Sequence, residues 1–194
     1  MEILSECERA GHPDMVFEFA STSKISFAGA GISAVASSAK NLEWFKKAMT
    51  VQTIGPDKIN QLRHARYYRD KEGLRAQMMK NSALIRPKFS LVLDTLEKEL
   101  GGLGIGEWTN PLGGYFISFD APEGCAKAIV AKCKEGGMVL TGAGATYPYG
   151  IDPKDSNIRI APSYPSLEEM KEATKLFVLC VKLVSIEKIL KEKK

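Results

Sequence analysis

The sequence predicts a mixed fold that is α/β in its first part and α+β in its second, because two patterns alternate along the chain. Short apolar or β-branched runs indicate strands, and apolar residues at spacings of three and four indicate helices. A glycine-rich stretch at residues 101–106, GGLGIG, marks a change of composition. We therefore expect strands and helices in residues 1–70, a long helix over residues 71–100, and a small α+β domain at residues 101–194.

The composition is typical of a soluble globular protein and argues against several classes of function. Of the 194 residues, 44% are hydrophobic and 26% are charged, and the formal net charge is only +4. No basic stripe with interleaved aromatic residues indicates nucleic-acid binding, and the most apolar stretch, residues 176–184, is too short to span a membrane. The first ten residues lack the apolar segment of a secretory signal, so we expect a cytoplasmic protein. Four scattered cysteines and two histidines predict no metal site and reduced, buried thiols.

The first part is predicted to contain two strands and several helices. Residues 3–10 have a helical pattern, and residues 15–20 and 32–37 have the apolar and β-branched character of strands. Asn41 is placed to cap the helix that follows the second strand. The turn sequence at residues 55–57 precedes another helix, and we expect its inward face to consist of Ile59, Leu62 and Ala65.

The long helix and the second part follow from the same patterns. Apolar residues recur along one face of residues 72–100, and Pro87 is expected to kink this helix. Beyond the glycines we expect strands at residues 114–119, 138–140 and 157–160, with a helix at residues 124–135. Ser166 and Glu169 have the spacing of a capping box at the start of the final helix. The buried face of that helix is predicted to consist of Met170, Ala173, Phe177 and Val181.

Lys24 is the first candidate functional residue, because it follows an apolar and aromatic run and lies within a stretch of hydroxyl-bearing residues and glycines. Partial desolvation at a sheet edge would lower the pKa of the amine and free it as a nucleophile. Ser21, Thr22 and Ser23 add hydroxyl groups beside it, and Gly29 and Gly31 would let backbone N–H groups approach an anion. Together these residues suit an aldehyde cofactor that carries a phosphate.

Three other interpretations of the same stretch remain open on the residues alone. Residues 21–24, STSK, fit the S-x-x-K motif of penicillin-binding proteins and β-lactamases, although the companion S-D-N and K-T-G motifs are absent. Residues 29–34, GAGISA, fit the dinucleotide fingerprint, but they lead into a strand-like run rather than a helix. The third interpretation is a lysine in a polar loop between two strands, with no chemical role.

Arg159 is the second candidate, because it interrupts an apolar strand. Alternation along residues 157–160 points its side chain away from those of Ile158 and Ile160, toward a face that is wet or occupied by an anion. A guanidinium group matches a carboxylate with two parallel hydrogen bonds, as an amino-acid substrate would require. A structural salt bridge to a nearby acid is the alternative. Asn157 and Tyr147 are lesser candidates for the same site.

The two stretches together resemble a known family. Residues 21–24 are similar to the Schiff-base lysine segment of fold-type-I pyridoxal-phosphate-dependent aminotransferases, and residues 157–163, NIRIAPS, to the segment whose arginine holds the substrate carboxylate. The sequences of residues 55–63, 113–116 and 146–150 most resemble those of the aspartate aminotransferase subgroup called type Ic. The resemblance covers nearly the whole chain and corresponds to the C-terminal half of such an enzyme, with a remnant of the large-domain sheet and the small domain.

The resemblance implies a set of roles. Lys24 would bind pyridoxal 5'-phosphate and move a proton, with Ser21 and Ser23 at the phosphate and with Arg159 and Asn157 at the substrate. The substrates would be an amino acid, such as aspartate or glutamate, and a 2-oxo acid. A homodimer, or pairing with a missing N-terminal half, is implied as well. Exposed polar residues near its interface would be Gln52 and Lys58.

Two departures from the family pattern qualify these expectations. Many relatives place a phosphate-binding arginine seven or eight residues after the lysine, where this sequence has Gly31 and Ile32. The family's first half, with the aromatic residue and the aspartate that contact the cofactor ring, has no counterpart here, so we expect the chain to be incomplete by itself. The alternatives are a non-catalytic fragment that serves as a binding or oligomerisation module, and a pyridoxal-phosphate-dependent lyase or decarboxylase of the same fold.

Overall fold

The computed structural model describes residues 2–27 and 29–193 and divides the chain into two compact units. The first unit is Met1–Ser82 and the second is Ala83–Lys194. The division falls inside the longest helix, so each unit includes one part of that helix. In the part of the chain that the structure describes, no helix is both long and apolar enough to cross a membrane.

The first unit is a two-stranded hairpin with four helices, the last of which continues into the second unit. Its strands are β1, Glu18–Ser21, and β2, Ser33–Ala36, which pair antiparallel from Glu18 opposite Ala36 to Ser21 opposite Ser33. The helices are α1, Ile3–Arg9; α2, Ala39–Gln52; α3, Lys58–Tyr68; and α4, Lys71–Leu100. A 3₁₀ turn at Pro13–Met15 precedes β1 and explains why the strand begins later than predicted.

The start of α2 differs from the prediction. Ser38 caps this helix, and its hydroxyl accepts the backbone N–H of Asn41 at 3.2 Å. The Asn41 side chain donates instead to the Ser37 hydroxyl at 2.8 Å and to the Asp14 carbonyl at 3.0 Å. The predicted cap at Asn41 is therefore wrong by three positions, and Asn41 ties the start of α2 to the segment before β1.

The first unit has almost no core of its own. Among residues 2–27 and 29–82, only His64 and Tyr68 are buried. Large apolar side chains lie exposed on the hairpin and the helices, including Phe19, Trp44 and Ile59. The described residues of the first unit therefore leave apolar surface that the chain itself does not cover.

The second unit is a three-stranded sheet covered by helices. Its strands are β3, Glu107–Trp108; β4, Ile117–Asp120; and β5, Asn157–Ile160, which pair antiparallel in the order β3-β4-β5. Its remaining helices are α5, Ala126–Glu135, and α6, Leu167–Glu192, with a 3₁₀ turn at Pro148–Gly150. Side chains from one face of the sheet pack with the buried faces of the helices in a single core. That face consists of Ile117, Phe119, Ile158 and Ile160.

Most predicted elements of the second unit are confirmed, with two exceptions. The strand at residues 157–160 and the capping box of Ser166 and Glu169 are present as predicted. Residues 138–140 do not form a strand; Met138 and Leu140 pack against the core without a pairing partner. The structure contains β3 instead, which at two residues is too short to show a period. Helix α4 continues through Pro87, and the kink predicted at this proline stays a prediction.

Candidate functional site

Lys24 lies in a tight turn between β1 and β2. The Thr22 carbonyl accepts the backbone N–H groups of Ile25 and Ser26 at 3.0 and 2.9 Å, and the backbone N–H of Thr22 donates to the Ile32 carbonyl at 2.9 Å. The turn therefore presents Lys24 at its apex. The lysine is exposed, so the prediction that its neighbours in this chain partly desolvate it is wrong.

The three hydroxyl residues before Lys24 have different surroundings. Ser21 and Ser23 are exposed, and their hydroxyl oxygens lie 2.5 Å apart. Thr22 is half-buried and points into the loop, where its hydroxyl accepts the backbone N–H of Ile32 at 2.9 Å. Only Ser21 and Ser23 are thus placed to offer hydroxyl groups to a ligand beside the lysine.

Gly31 is needed for close packing inside this loop. A Cβ atom at position 31 would lie 3.1 Å from the backbone nitrogen, Cα and Oγ of Ser23. Gly29 serves another purpose, because its φ of +72° is one that residues with a side chain rarely adopt. The glycines therefore shape the second arm of the loop so that it lies against the serine beside Lys24.

Helix α3 holds this loop through contacts that the sequence did not reveal. The Asn60 amide donates to the carbonyls of Ala30 and Gly31 at 2.8 and 3.3 Å. His64 is 4% exposed, and its Nε2 lies 2.9 Å from the Ser26 hydroxyl.

The inward face of α3 differs from the prediction. The predicted residues Ile59, Leu62 and Ala65 are exposed, whereas the face that contacts the loop carries polar and aromatic side chains. These lie at helical spacings of three and four, at Asn60, Arg63, His64, Tyr67 and Tyr68. This spacing was the available signal, but an inward face is usually recognised by aliphatic residues, and here the hairpin supplies polar groups for α3 to contact.

Arg159 lies on β5 opposite Ser118 of β4, on the face of the sheet away from the core. Ile158 and Ile160 are buried on the other face, which confirms the predicted alternation. The Arg159 guanidinium carbon lies 4.6 Å from the centre of the Phe116 ring, and its Nη2 is 3.4 Å from the Thr141 hydroxyl.

The charge of Arg159 has no carboxylate partner within the chain as described. Among residues 2–27 and 29–193, no carboxylate oxygen lies within the 4.0 Å of an ion pair with it. Its Nε is buried and has no hydrogen-bond partner in the same residues. The alternative of a structural salt bridge is not seen. A half-buried guanidinium without a counter-charge among these residues is suited to binding an anion.

Asn157 shares this face with Arg159, but its side chain is already fully used. Its amide donates to the Ser118 hydroxyl and to the Asp120 carboxylate, both at 2.8 Å, and its carbonyl accepts the Thr146 hydroxyl at 2.7 Å. The residue is 7% exposed. Asn157 therefore ties three segments of the second unit together and has no donor left for a ligand. Tyr147, next to Thr146, is partly exposed.

Asp152 organises the backbone before β5. Its carboxylate accepts the backbone N–H groups of Lys154, Ser156 and Asn157 at 2.8 to 2.9 Å. These hydrogen bonds hold the pKa of the Asp152 carboxyl below its usual value. The remaining predicted residues, Gln52 and Lys58, are exposed at the end of α2 and the start of α3.

Comparisons with known proteins give a consistent result along the whole chain. The sequence model of a family described as aspartate amino-transferase matches residues 1–193. A protein of Mycolicibacterium smegmatis described as an aminotransferase is 46% identical over 193 residues, which make up 100% of this chain and 45% of that protein. The crystal structure of an aspartate transaminase from Corynebacterium glutamicum has a TM-score of 0.92 and 45% identity, over 96% of this chain and 44% of that one.

A more distant structure shares the fold alone. The α-aminoadipate aminotransferase of Thermus thermophilus, solved with N-(5'-phosphopyridoxyl)-L-leucine, has a TM-score of 0.76 at 18% identity, over 95% of this chain and 46% of that one. The chain thus spans less than half the length of each of these relatives.

Proposed function

The chain belongs to the aspartate amino-transferase family, and from this premise we propose that it carries the cofactor lysine, Lys24, and the substrate-carboxylate arginine, Arg159, of a pyridoxal-phosphate-dependent aminotransferase. The fold is that of the C-terminal part of a fold-type-I transferase. The reaction proposed is transfer of an amino group between an amino acid, with aspartate or glutamate the first to test, and a 2-oxo acid. The observation that carries the proposal is the half-buried Arg159, which has no carboxylate partner among the described residues.

The residues around Lys24 fit a phosphorylated aldehyde cofactor. The lysine is exposed at the apex of its turn, so an aldehyde can reach its amine. The adjacent hydroxyls of Ser21 and Ser23 offer two hydrogen-bonding groups for a phosphate, although an arginine is lacking at positions 31 and 32. When bound, pyridoxal 5'-phosphate supplies an electron sink for the substrate's bonds at Cα. Lys24 would bind the cofactor and accept the proton from the substrate Cα.

Arg159 would orient the substrate. Its guanidinium can form two parallel hydrogen bonds with one carboxylate, which fixes both the position and the plane of that group. The Phe116 ring, whose centre lies 4.6 Å from the guanidinium carbon, would help to hold the guanidinium in place for this contact. Asn157 would support the site without contacting the substrate, because its hydrogen bonds to Ser118 and Thr146 hold the segments around this face.

The working form is proposed to contain more protein than this chain. Exposed apolar residues in the first unit leave surface that a folded protein normally covers. Helix α6 presents a second apolar stripe on the side opposite its buried face, at spacings of four, three and four, which is typical of a helix packed on both sides. The stripe consists of Leu179, Leu183, Ile186 and Leu190. We propose that the remaining part of an aminotransferase chain covers these surfaces and that the completed protein is a homodimer.

The test is to reconstitute the cofactor site and locate the reaction with the aldehyde. The chain would be prepared alone and with the part of the Corynebacterium glutamicum enzyme that it does not match. Pyridoxal 5'-phosphate would be added, followed by borohydride and peptide mapping. We expect a stable adduct on Lys24 in the reconstituted protein, and none at that position in Lys24→Ala. Labelling spread over many lysines in both preparations would contradict the proposal and favour a non-catalytic module.

A second measurement tests Arg159 and the type of reaction. In the reconstituted protein, Arg159→Lys should weaken binding of a dicarboxylic amino acid more than tenfold, because lysine cannot form the paired hydrogen bonds. Appearance of the matching 2-oxo acid without release of carbon dioxide identifies transamination. Release of carbon dioxide would identify the decarboxylase alternative.

A further inference from the structure

His64 is a buried polar residue in a unit that has almost no core. Of the residues described in the first unit, only His64 and Tyr68 are buried, and His64 is the one with two hydrogen-bonding ring atoms. Both nitrogens have partners: Nδ1 lies 2.9 Å from the Asn60 carbonyl and Nε2 lies 2.9 Å from the Ser26 hydroxyl. The ring is therefore oriented by helix α3 on one side and directed at the hairpin loop on the other.

The partners determine where the protons lie on a neutral His64. A backbone carbonyl only accepts, so Nδ1 carries the hydrogen and donates to Asn60. Nε2 is then an acceptor, one of three within reach of the single hydrogen of the Ser26 hydroxyl, which also donates to the Thr22 carbonyl at 3.0 Å and to the Thr22 hydroxyl. The Ser26 oxygen lies 2.8 Å from the Thr22 hydroxyl, which in turn accepts the backbone N–H of Ile32 at 2.9 Å. A continuous chain of hydrogen bonds thus runs from α3 through the loop to the start of its second arm.

This chain of hydrogen bonds closes the turn that contains Lys24. Thr22 and Ser26 are the two ends of the turn, each two residues from the lysine, and both are held through His64. The Phe27 ring packs edge-on against the imidazole, with ring centres 5.1 Å apart, and the Arg63 guanidinium lies over Phe27 at 5.0 Å. Polar contacts with α3, rather than an aliphatic core, therefore fix the direction in which the loop presents its apex.

We propose that His64 is a positioning residue for Lys24: it orders the turn at residues 22–26 through Ser26 and so sets the direction of the lysine side chain. The inference rests on the proposed function of Lys24 as the cofactor lysine. A reacting amine must approach its partner at a defined angle and distance, and loss of that order lowers the rate of reaction without removing the amine.

The variants distinguish the effect of the His64 hydrogen bonds from the effect of packing by its ring. His64→Phe keeps an aromatic ring beside Phe27 and removes both hydrogen bonds, whereas His64→Gln keeps an amide that can reach Ser26. Ser26→Ala removes the next hydroxyl in the chain and leaves His64 in place. Gln61→Ala, at an exposed position of α3, is the matched control.

Two measurements on the full chain are needed. The first is amide hydrogen exchange of the peptide that covers residues 21–33, which requires no cofactor. The second is the ratio of borohydride-trapped pyridoxal phosphate on Lys24 to that on all other lysines, in the reconstituted protein. We expect His64→Phe and Ser26→Ala to raise exchange in the loop and to lower the labelling ratio about tenfold, His64→Gln to restore most of both, and Gln61→Ala to change neither.

The outcomes distinguish this inference from the proposed function. Unchanged loop exchange in His64→Phe would overturn the positioning role whatever the cofactor does. Raised exchange with an unchanged labelling ratio would overturn it too, because the order of the loop would then not govern Lys24. If the unmodified chain shows no preference for Lys24, the proposed function fails and the positioning role falls with it, even where exchange shows that His64 orders the loop.

Discussion

Arg159 and Asn157 lie two residues apart on the same face of β5, yet their hydrogen-bonding groups are used in opposite ways. Asn157 has a partner for every side-chain group, whereas Arg159 has a buried Nε with none among the described residues. A polar residue that serves to bind a ligand lowers the stability of the folded protein when the ligand is absent, whereas a polar residue whose groups are all paired within the fold raises that stability. Arg159→Met and Asn157→Ala should therefore change the free energy of unfolding in opposite directions.

The magnitudes follow from the contacts that each substitution removes. Replacing Arg159 by methionine, which has a similar length, removes an unsatisfied buried N–H that costs about 1–3 kcal/mol. It also removes the contact with Phe116, which contributes about 0.5–1 kcal/mol. The net expectation is a gain of about 1 kcal/mol. Asn157→Ala removes three hydrogen bonds of 2.7 to 2.8 Å, one of them to a carboxylate, and should cost about 2–4 kcal/mol.

The assay is urea unfolding followed by tryptophan fluorescence. Trp108 lies in the second unit and stacks on Phe119, whereas Trp44 lies in the first unit, so all variants are made in a Trp44→Phe background and the signal reports the second unit. A loss of more than about 1 kcal/mol in Arg159→Met would refute the reasoning, because the arginine would then be a structural residue. An Asn157→Ala variant as stable as its parent would show that the hydrogen bonds do not contribute.

Three further predictions concern the second unit. Gly106→Ala should destabilise it by about 1–3 kcal/mol, because the new Cβ would lie 2.4 Å from Cζ of Phe119; Gly113→Ala, with nothing within 4 Å, is the neutral control in the same assay. Asp152→Asn should lower the melting temperature at neutral pH, and the difference from the parent should shrink as the pH falls below about 4, since backbone N–H donors lower the pKa of this carboxyl in the folded state. In a timed iodoacetamide reaction of the folded chain, mass mapping should find the Cys133 thiol modified last of the four, because burial and an adjacent thiol raise its pKa to about 12. A stable Gly106→Ala variant, a difference that persists in acid, or early modification of Cys133 would contradict the respective prediction.

The second unit was more predictable from sequence than the first because its elements bury apolar faces within the chain itself. The strand at residues 157–160 and the long final helix follow from alternation and from helical spacing, and both patterns are strong where one face is buried. The strand predicted at residues 138–140 rests on a short apolar run, Met138 to Leu140, and among the described residues no strand pairs with it. Pairing is a property of the tertiary structure that a local pattern does not contain.

In the first unit, sequence patterns identified the family but not the residues that hold the loop around Lys24. The family resemblance, which the motifs around Lys24 and Arg159 predicted, is confirmed. The roles of the individual residues and the domain bounds stay predictions. The rule that aliphatic residues point inward selected the wrong face of α3, because Ile59 and Leu62 lie on a surface that this chain does not cover. The residues that hold the loop are polar and aromatic, and they are recognised only when the hairpin is in place.

Two properties of the proposed site have different structural sources: the geometry of the Lys24 turn, and the covering of the apolar surface around it. Most of the hydrogen bonds that close the turn lie within residues 22–32 and helix α3, and Asn81 of α4 adds one to the Ile25 carbonyl at 3.4 Å, so the geometry of the turn does not depend on a large apolar core. The apolar side chains around it are exposed, and burying them requires more protein. In the proposed site, desolvation of Lys24 would come from the same added surface. The turn is thus held by contacts within the described residues, whereas the surroundings proposed to make the Lys24 amine reactive would come from added protein.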